Sequence, residues 1–274
     1  MSLSQTIEAL PPLREVIEQY GLRAHRALGQ NFLLDLNLTD RIAKSAGLNP
    51  GDHVIEVGPG PGGLTRALLK TGAHVYAFEK DHRCVEALST LKACAPDHLT
   101  LIEGDALKVN FEKTCPAPRK IVANLPYNIS TLLLLQWLKS LDRYESMTLM
   151  FQKEVADRLT AAPNTKAYGR LSVMTQWLCE VEQLFDINPK AFVPAPKVIS
   201  TVVHLKPRPT PKDIPFESLE KVTQAAFGQR RKMLRASLKG IGLTPKLESI
   251  GINPTDRAED LSIQDFCALA RILG

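Results

Sequence analysis

The sequence is poor in the groups that cross-link chains or bind metals. Its five cysteines, Cys84, Cys94, Cys115, Cys179 and Cys267, are odd in number and widely scattered. No C-x-x-C pair or close Cys/His cluster occurs, so neither a disulfide framework nor a zinc site is expected, and a reducing compartment fits. The six histidines are equally dispersed, and no metal is expected. Long apolar runs are also missing. Leu132 to Leu138 is the longest, far short of the ~20 residues that a membrane-spanning helix needs. Glu8 and the Pro11-Pro12 pair interrupt any signal-peptide core near the N-terminus. These absences point to a cytoplasmic chain without a membrane partner. There is no internal repeat and no low-complexity segment.

What is present describes a soluble globular protein. Of 274 residues, 44% are hydrophobic and 23% charged, which excludes collagen-like, coiled-coil and disordered compositions. The length suits one large domain, or one with a small satellite. The net charge of +5 is unevenly placed. Residues 1–205 hold 22 basic and 21 acidic side chains, whereas residues 206–274 hold 12 and 8. A basic C-terminal quarter suggests a polyanionic partner, although its excess alone is weak evidence.

The first fifty residues read as helix, basic loop, helix. The periodicity from Leu36 ends at Gly47, with Pro50 beyond it. Strand-like segments then alternate with helices. Strands are expected at His53–Val57, Val75–Glu79, Leu99–Glu103, Lys120–Ala123 and Met147–Phe151. Helices are expected at Leu64–Lys70, Asp81–Ala93 and Ile129–Leu138. This alternation predicts an α/β fold whose parallel sheet carries helices on both faces. Val198–Leu205 reads as a late strand, pairing antiparallel with another late strand. Pro207, Pro209 and Pro211 then favour an extended linker. The expected domains are therefore residues 1–206 and 207–274. The second reads as a small all-helical domain, with one helix from Phe216 to Lys239 and short helices near Lys246 and Gln264.

The segment Glu56-Val57-Gly58-Pro59-Gly60-Pro61-Gly62-Gly63 leaves a strand and enters a helix. Glycines allow close backbone approach, and a helix N-terminus adds unpaired N–H groups. Gly58, Gly60 and Gly63 satisfy G-x-G-x-x-G, and Glu79 lies at the end of the next strand, where an acidic side chain can accept from ribose hydroxyls. A nicotinamide cofactor and S-adenosylmethionine both fit this much. Glu56 before the glycines and Asp105 after the third strand favour S-adenosylmethionine. Taken alone, Asp105 would be an ordinary helix cap.

Asn124-Leu125-Pro126-Tyr127-Asn128-Ile129-Ser130 follows the fourth strand, at the sheet edge where such folds bind ligands. On its own it is also respectable turn chemistry. With Leu28-Gly29-Gln30-Asn31-Phe32-Leu33, the glycine loop, Phe78-Glu79-Lys80-Asp81, Glu103-Gly104-Asp105, Phe192-Val193-Pro194-Ala195-Pro196-Lys197-Val198 and Phe227-Gly228-Gln229-Arg230-Arg231-Lys232, it makes a seven-part series. Nearly the whole chain resembles the ribosomal RNA adenine N6-dimethyltransferases, the KsgA family.

That resemblance implies a Rossmann-like methyltransferase domain and a small helical C-terminal domain. It implies that Gln30, Asn31 and Leu33 close over S-adenosylmethionine, that Gly58 and Gly60 approach it, and that Glu79 holds the ribose and Asp105 the adenine. Glu56 and Asn124 belong to the same expected cofactor surface. The substrate would be adenosine N6, a poor nucleophile because its lone pair is delocalised into the ring. The Asn124 side-chain oxygen and the Leu125 carbonyl would accept from the amine, within a turn shaped by Pro126. Tyr127 would stack on the extruded base, with Phe192 on the opposite face or else in the core. Arg23, His25, Arg26, Arg230, Arg231, Lys232 and Arg235 are candidate RNA contacts, Arg231 and Arg235 sharing a helix face at i, i+4. The implied activity is dimethylation of two adjacent adenosines near the 3′ end of 16S rRNA in an immature or undermethylated 30S particle, by a monomeric enzyme. A large-subunit rRNA methyltransferase, a noncatalytic ribosome-assembly factor and a nicotinamide oxidoreductase remain alternatives.

Overall fold

The computed structural model describes residues 2–25, 28–209 and 213–273. Two short helices, α1 (Leu3–Glu8) and α2 (Leu13–Gln19), come first; Pro11 and Pro12, which remove backbone donors, lie between them. Strand β1 (Phe32–Leu33) leads to helix α3 (Leu36–Ser45). Asp35 starts α3 by accepting from the N–H groups of Asn37 and Leu38, at 2.9 and 3.3 Å.

The central run is β2 (His53–Val57), α4 (Gly63–Lys70), β3 (His74–Glu79), α5 (His82–Cys94), β4 (Leu99–Glu103), β5 (Arg119–Asn124), α6 (Ser130–Leu138) and β6 (Tyr144–Gln152). Then come α7 (Lys153–Thr160), α8 (Arg170–Leu178), β7 (Cys179–Ile187), β8 (Phe192–Val193) and β9 (Ser200–Pro207). The chain closes with α9 (Phe216–Gly228), α10 (Leu234–Ser237) and α11 (Ile263–Leu273).

Seven strands form one sheet in the order β4-β3-β2-β5-β6-β9-β7. Strand β2 pairs in parallel with both β3 and β5, so the strand order reverses there. Such a reversal opens a crevice at the C-terminal strand ends. Val54 to Val57 are all buried, as expected for a parallel strand covered on both faces. The late strand β9 runs antiparallel to β6, with Leu149 opposite Val203. Strands β1 and β8 form a separate antiparallel pair that sets Leu33 opposite Phe192.

The chain divides into two compact units. One holds Met1–Lys153 and Glu182–Lys206; the other holds Glu154–Val181 and Pro207–Gly274. The boundary expected from sequence is a single one after residue 206. In the structure, residues 154–181, with α8 and most of α7, belong instead to the second unit. Buried Tyr168 and Phe266 flank the half-buried Phe227 there, with the two phenylalanine rings stacked at 5.4 Å and Tyr168 edge-on to Phe227 at 5.9 Å.

The expected helix from Phe216 to Lys239 is interrupted. Helix α9 stops at Gly228, and Met233 forms an antiparallel bridge with Arg257. The N–H groups of Leu234 and Arg235 donate to the carbonyls of Asp256 and Pro254, at 2.7 and 3.0 Å. These long-range bonds replace the intrahelical bonds that a continuous helix would make. Arg231 therefore lies in a turn and Arg235 in α10, not on one helix face.

Candidate active site

A cleft of about 1110 Å³, mouth included, opens at the C-terminal ends of β2, β3, β4 and β5. Residues 28–33 form a further wall. Every expected cofactor residue lines it: Gln30, Asn31, Leu33, Glu56, Gly58, Gly60, Glu79, Asp105 and Asn124. Leu125, Pro126 and Tyr127 line it as well.

The glycine loop is shaped by what crosses it. Gly58 and Gly60 have φ of +69° and +55°, the left-handed region that side chains disfavour. A Cβ at Gly58 would stand 3.3 Å from Pro126 Cδ, and one at Gly60 3.1 Å from the Phe32 ring. The glycines thus let three segments meet: residues 28–33, the loop after β2 and the turn after β5. The Gly60 N–H also donates to Glu79 Oε2 at 3.0 Å. Glu79 Oε1 accepts from the N–H groups of Lys80 and Asp81, both at 2.8 Å. Burial raises the Glu79 carboxyl despite these donors.

Glu56, at 1% exposure, lines the same cleft, and its Oε2 has no hydrogen-bond partner. Burial, reinforced by the neighbouring Glu79 charge, pushes its carboxyl up to about 8. Thr65 beside it opposes the shift only in part, so at neutral pH this is mostly a protonated acid. Asp105 has a different environment: Lys80 Nζ at 2.9 Å and the Leu107 N–H at 3.1 Å hold its carboxyl below the usual range. Lys80 also lines the cleft. In the sequence it stands out only as one position of the Phe78–Asp81 motif.

The wall of residues 28–33 is pinned from two sides. Gln30 Nε2 donates to Asp81 Oδ2 at 3.0 Å, and its Oε1 accepts the His25 N–H at 2.9 Å. Arg83 Nη2 bonds Asp81 at 2.5 Å and donates to the Arg23 carbonyl at 3.2 Å. The Arg83 contact, with burial opposing it and Gln30 assisting, leaves the Asp81 carboxyl at about 2. On the other side, Asn124 Nδ2 donates to the Asn31 carbonyl at 3.4 Å.

The turn after β5 is held by its own polar groups. The Ile129 N–H donates to the Pro126 carbonyl and Ser130 Oγ to the Tyr127 carbonyl, both at 3.1 Å. Tyr127 shares a 2.5 Å hydrogen bond with Ser200 Oγ at the start of β9. Sequence reasoning misses Ser200, since the two residues lie 73 positions apart and no local signal links them.

Phe192 departs from its expected site role. It is 2% exposed and packs in the core cluster that includes Leu33, Met150 and Val202, and it does not line the cleft. Its pairing with Leu33 through β1 and β8 accounts for that burial. The basic set also separates. Arg230 is committed to Glu259 at 2.9 Å and to the Thr165 carbonyl at 3.3 Å, tying parts of the second unit together. Arg231, Lys232 and Arg235 are exposed, as is Arg23. Arg26 lies outside the described residues.

Comparison with known proteins identifies the family. Residues 21–274 fit a family model described as ribosomal RNA adenine dimethylase. A protein of Rhodospirillum rubrum named ribosomal RNA small subunit methyltransferase A is 58% identical over 96% of this chain and 93% of its own. Its namesake in Azorhizobium caulinodans is 55% identical over 98% and 94%. Among solved structures, a dimethyladenosine transferase from Plasmodium falciparum has a TM-score of 0.75 and 26% identity, covering 86% of this chain and 94% of its own. The 23S rRNA methyltransferase ErmE has a TM-score of 0.66 and 28% identity, covering 89% and 99%. With a family model spanning nearly the whole sequence and relatives at this level of identity, the chain belongs to the ribosomal RNA adenine dimethylase family.

Proposed function

We propose that this protein transfers methyl groups from S-adenosylmethionine to the N6 amines of two adjacent adenosines near the 3′ end of 16S rRNA. Each adenosine receives two methyls, and the substrate is an immature or undermethylated 30S particle. The protein acts as a cytoplasmic monomer. The observation that carries the reading is the Asn124 turn, set at a glycine-cradled cleft with its side-chain nitrogen already occupied.

The cleft suits the cofactor. A buried Glu56 carboxyl with an unpartnered oxygen, a backbone cradle at Gly58 and Gly60, and the carboxyls of Glu79 and Asp105 offer polar partners for a nucleoside cofactor. S-adenosylmethionine, when bound, supplies a methyl group activated by its sulfonium. Glu79 would hold the ribose, Asp105 the adenine amine, and residues 30–33 would close over it.

The chain's own contribution is positioning and electrostatics. Because Asn124 Nδ2 is taken by the Asn31 carbonyl, Oδ1 is the atom that accepts from the target amine. The Leu125 carbonyl accepts its second hydrogen. Two acceptors favour a pyramidal nitrogen whose lone pair faces the methyl. Tyr127 stacks on the base. No strong base is needed, since methylation makes the nitrogen's remaining proton acidic. Extruding the base costs a few kcal/mol, which RNA contacts by the exposed Arg231, Lys232 and Arg235 help to offset.

Relatives named for the small subunit share 55–58% identity with this chain, against 28% for the 23S enzyme, which supports the small-subunit assignment. Methyl-labelled cofactor supplied with undermethylated small subunits or with 23S rRNA tests it. Label is expected in the small-subunit RNA; label in 23S rRNA alone would establish the large-subunit reading instead.

A further inference from the structure

We propose that Ser200 is a positioning residue for the second methyl transfer, acting through the Tyr127 hydroxyl; the proposal rests on the dimethylation reading above. Ser200 is fully buried, opens β9 and sits opposite Gln152 of β6. Its hydroxyl is 2.5 Å from that of Tyr127, a residue that lines the cleft. The tyrosine is therefore fixed at both ends. Its backbone is held in the turn after β5, with its carbonyl accepting from Ser130. Its phenol is tied to the paired region of the sheet. Burial raises the phenol further above its ordinary range, so it remains a neutral hydrogen-bonding group.

The two transfers do not load this anchor equally. An unmethylated adenine amine has two hydrogens, one each for Asn124 Oδ1 and the Leu125 carbonyl. N6-methyladenine has one, so an amine hydrogen bond is lost and the base can turn about the remaining one. Stacking on Tyr127 then carries more of the orientation. In the second transfer the nitrogen lone pair bonds the methyl carbon while the carbon–sulfur bond breaks. The pair stays on sulfur as a neutral thioether, and the last N–H proton leaves to solvent. A tilted base misdirects that lone pair. A freely turning Tyr127 ring should consequently slow the second transfer more than the first.

The test compares wild type, Ser200→Ala, Tyr127→Phe and the double variant on undermethylated small subunits. Mono- and dimethyladenosine are resolved by mass spectrometry at matched conversion of the first step. Loss of folded protein slows both steps alike and leaves that ratio unchanged. Each single variant is expected to lower the second-step rate relative to the first by about three- to tenfold, the scale of one hydrogen bond. The double variant should match Tyr127→Phe, because both changes remove the same bond. Tyr127→Phe removes only the hydroxyl, so it tests the bond even if Ser200→Ala folds poorly. Wild-type product ratios in both single variants, or additive losses in the double variant, would overturn the proposal. Absence of any dimethyladenosine from the wild-type protein would instead defeat the functional reading.

Discussion

The side-chain nitrogen of Asn124 donates to the backbone carbonyl of Asn31 at 3.4 Å, joining the turn after β5 to the wall over the cofactor cleft. One residue type thereby serves two ends: the amide nitrogen is spent on orientation and the oxygen is kept for the substrate amine. Replacing Asn124 with Ala should leave cofactor affinity within a few-fold. It should lower methyl transfer by about 10²–10³-fold, the usual cost of removing one aimed polar group. Calorimetric binding beside a single-turnover assay measures both. Lost cofactor binding would make Asn124 chiefly a cofactor or structural residue.

The opposite end of the same wall depends on Arg83. Arg83→Ala removes the charged partner of Asp81 and the bond to the Arg23 carbonyl. Gln30 then loses a fixed acceptor, and residues 28–33 are less well held. Amide exchange in that segment should accelerate in the ligand-free protein, and cofactor affinity should fall by about three- to tenfold. Unchanged exchange would show that the wall is held by other contacts.

Glu56 gives a pH dependence with a defined sign. Its carboxyl rises from 4.5 to about 8 on folding. A raised acid stabilises the fold fully below the unfolded value, and that contribution is lost as pH rises through the folded one. Ligand-free protein should therefore lose denaturant resistance between about pH 4.5 and 8 through this group. Glu56→Gln cannot ionise, so its stability curve should be flatter over that window. Parallel urea titrations at about pH 5 and about pH 8.5, on either side of that window, supply the comparison. Equal slopes in both proteins would refute the assignment.

The basic residues of the second unit should separate into two kinds. Arg231, Lys232 and Arg235 are exposed, so their joint replacement by Ala should leave Tm unchanged. It should also flatten the salt dependence of RNA binding, by up to about 0.9 in slope for each phosphate that is no longer neutralised. Arg230→Ala should act the other way. It breaks a partly exposed ion pair to Glu259, lowering Tm by up to about 3 °C with little effect on the salt slope. Filter binding across a salt series and thermal unfolding resolve the two behaviours.

How much of the molecule is legible in sequence depends on the range of the interaction. The strand His53–Val57, the helix that follows Glu79 and the glycine turn are local signals, and the structure forms them accordingly. Strand β7 is legible although it is absent from the expected strands: Cys179, Val181, Phe185 and Ile187 alternate with Glu180, Glu182 and Asp186, the period-2 pattern of a half-buried strand. The break after Gly228 escapes sequence reasoning because backbone bonds to residues 254–257 impose it. The site divides in the same way. Gly58, Glu79 and Asn124 sit at strand ends that alternation alone locates. The burial of Phe192 follows from pairing with Leu33, far earlier in the chain, and the commitment of Arg230 from Glu259, 29 positions later.

The most direct test of the central claim is a product count on the particle itself. Undermethylated small subunits are incubated with the protein and S-adenosylmethionine, and the digested 16S rRNA is analysed by mass spectrometry. The account predicts two N6,N6-dimethyladenosines per particle, at adjacent positions near the 3′ end, and almost none with Asn124→Ala. A protein that binds the cofactor under these conditions yet leaves those adenosines unmodified would contradict it.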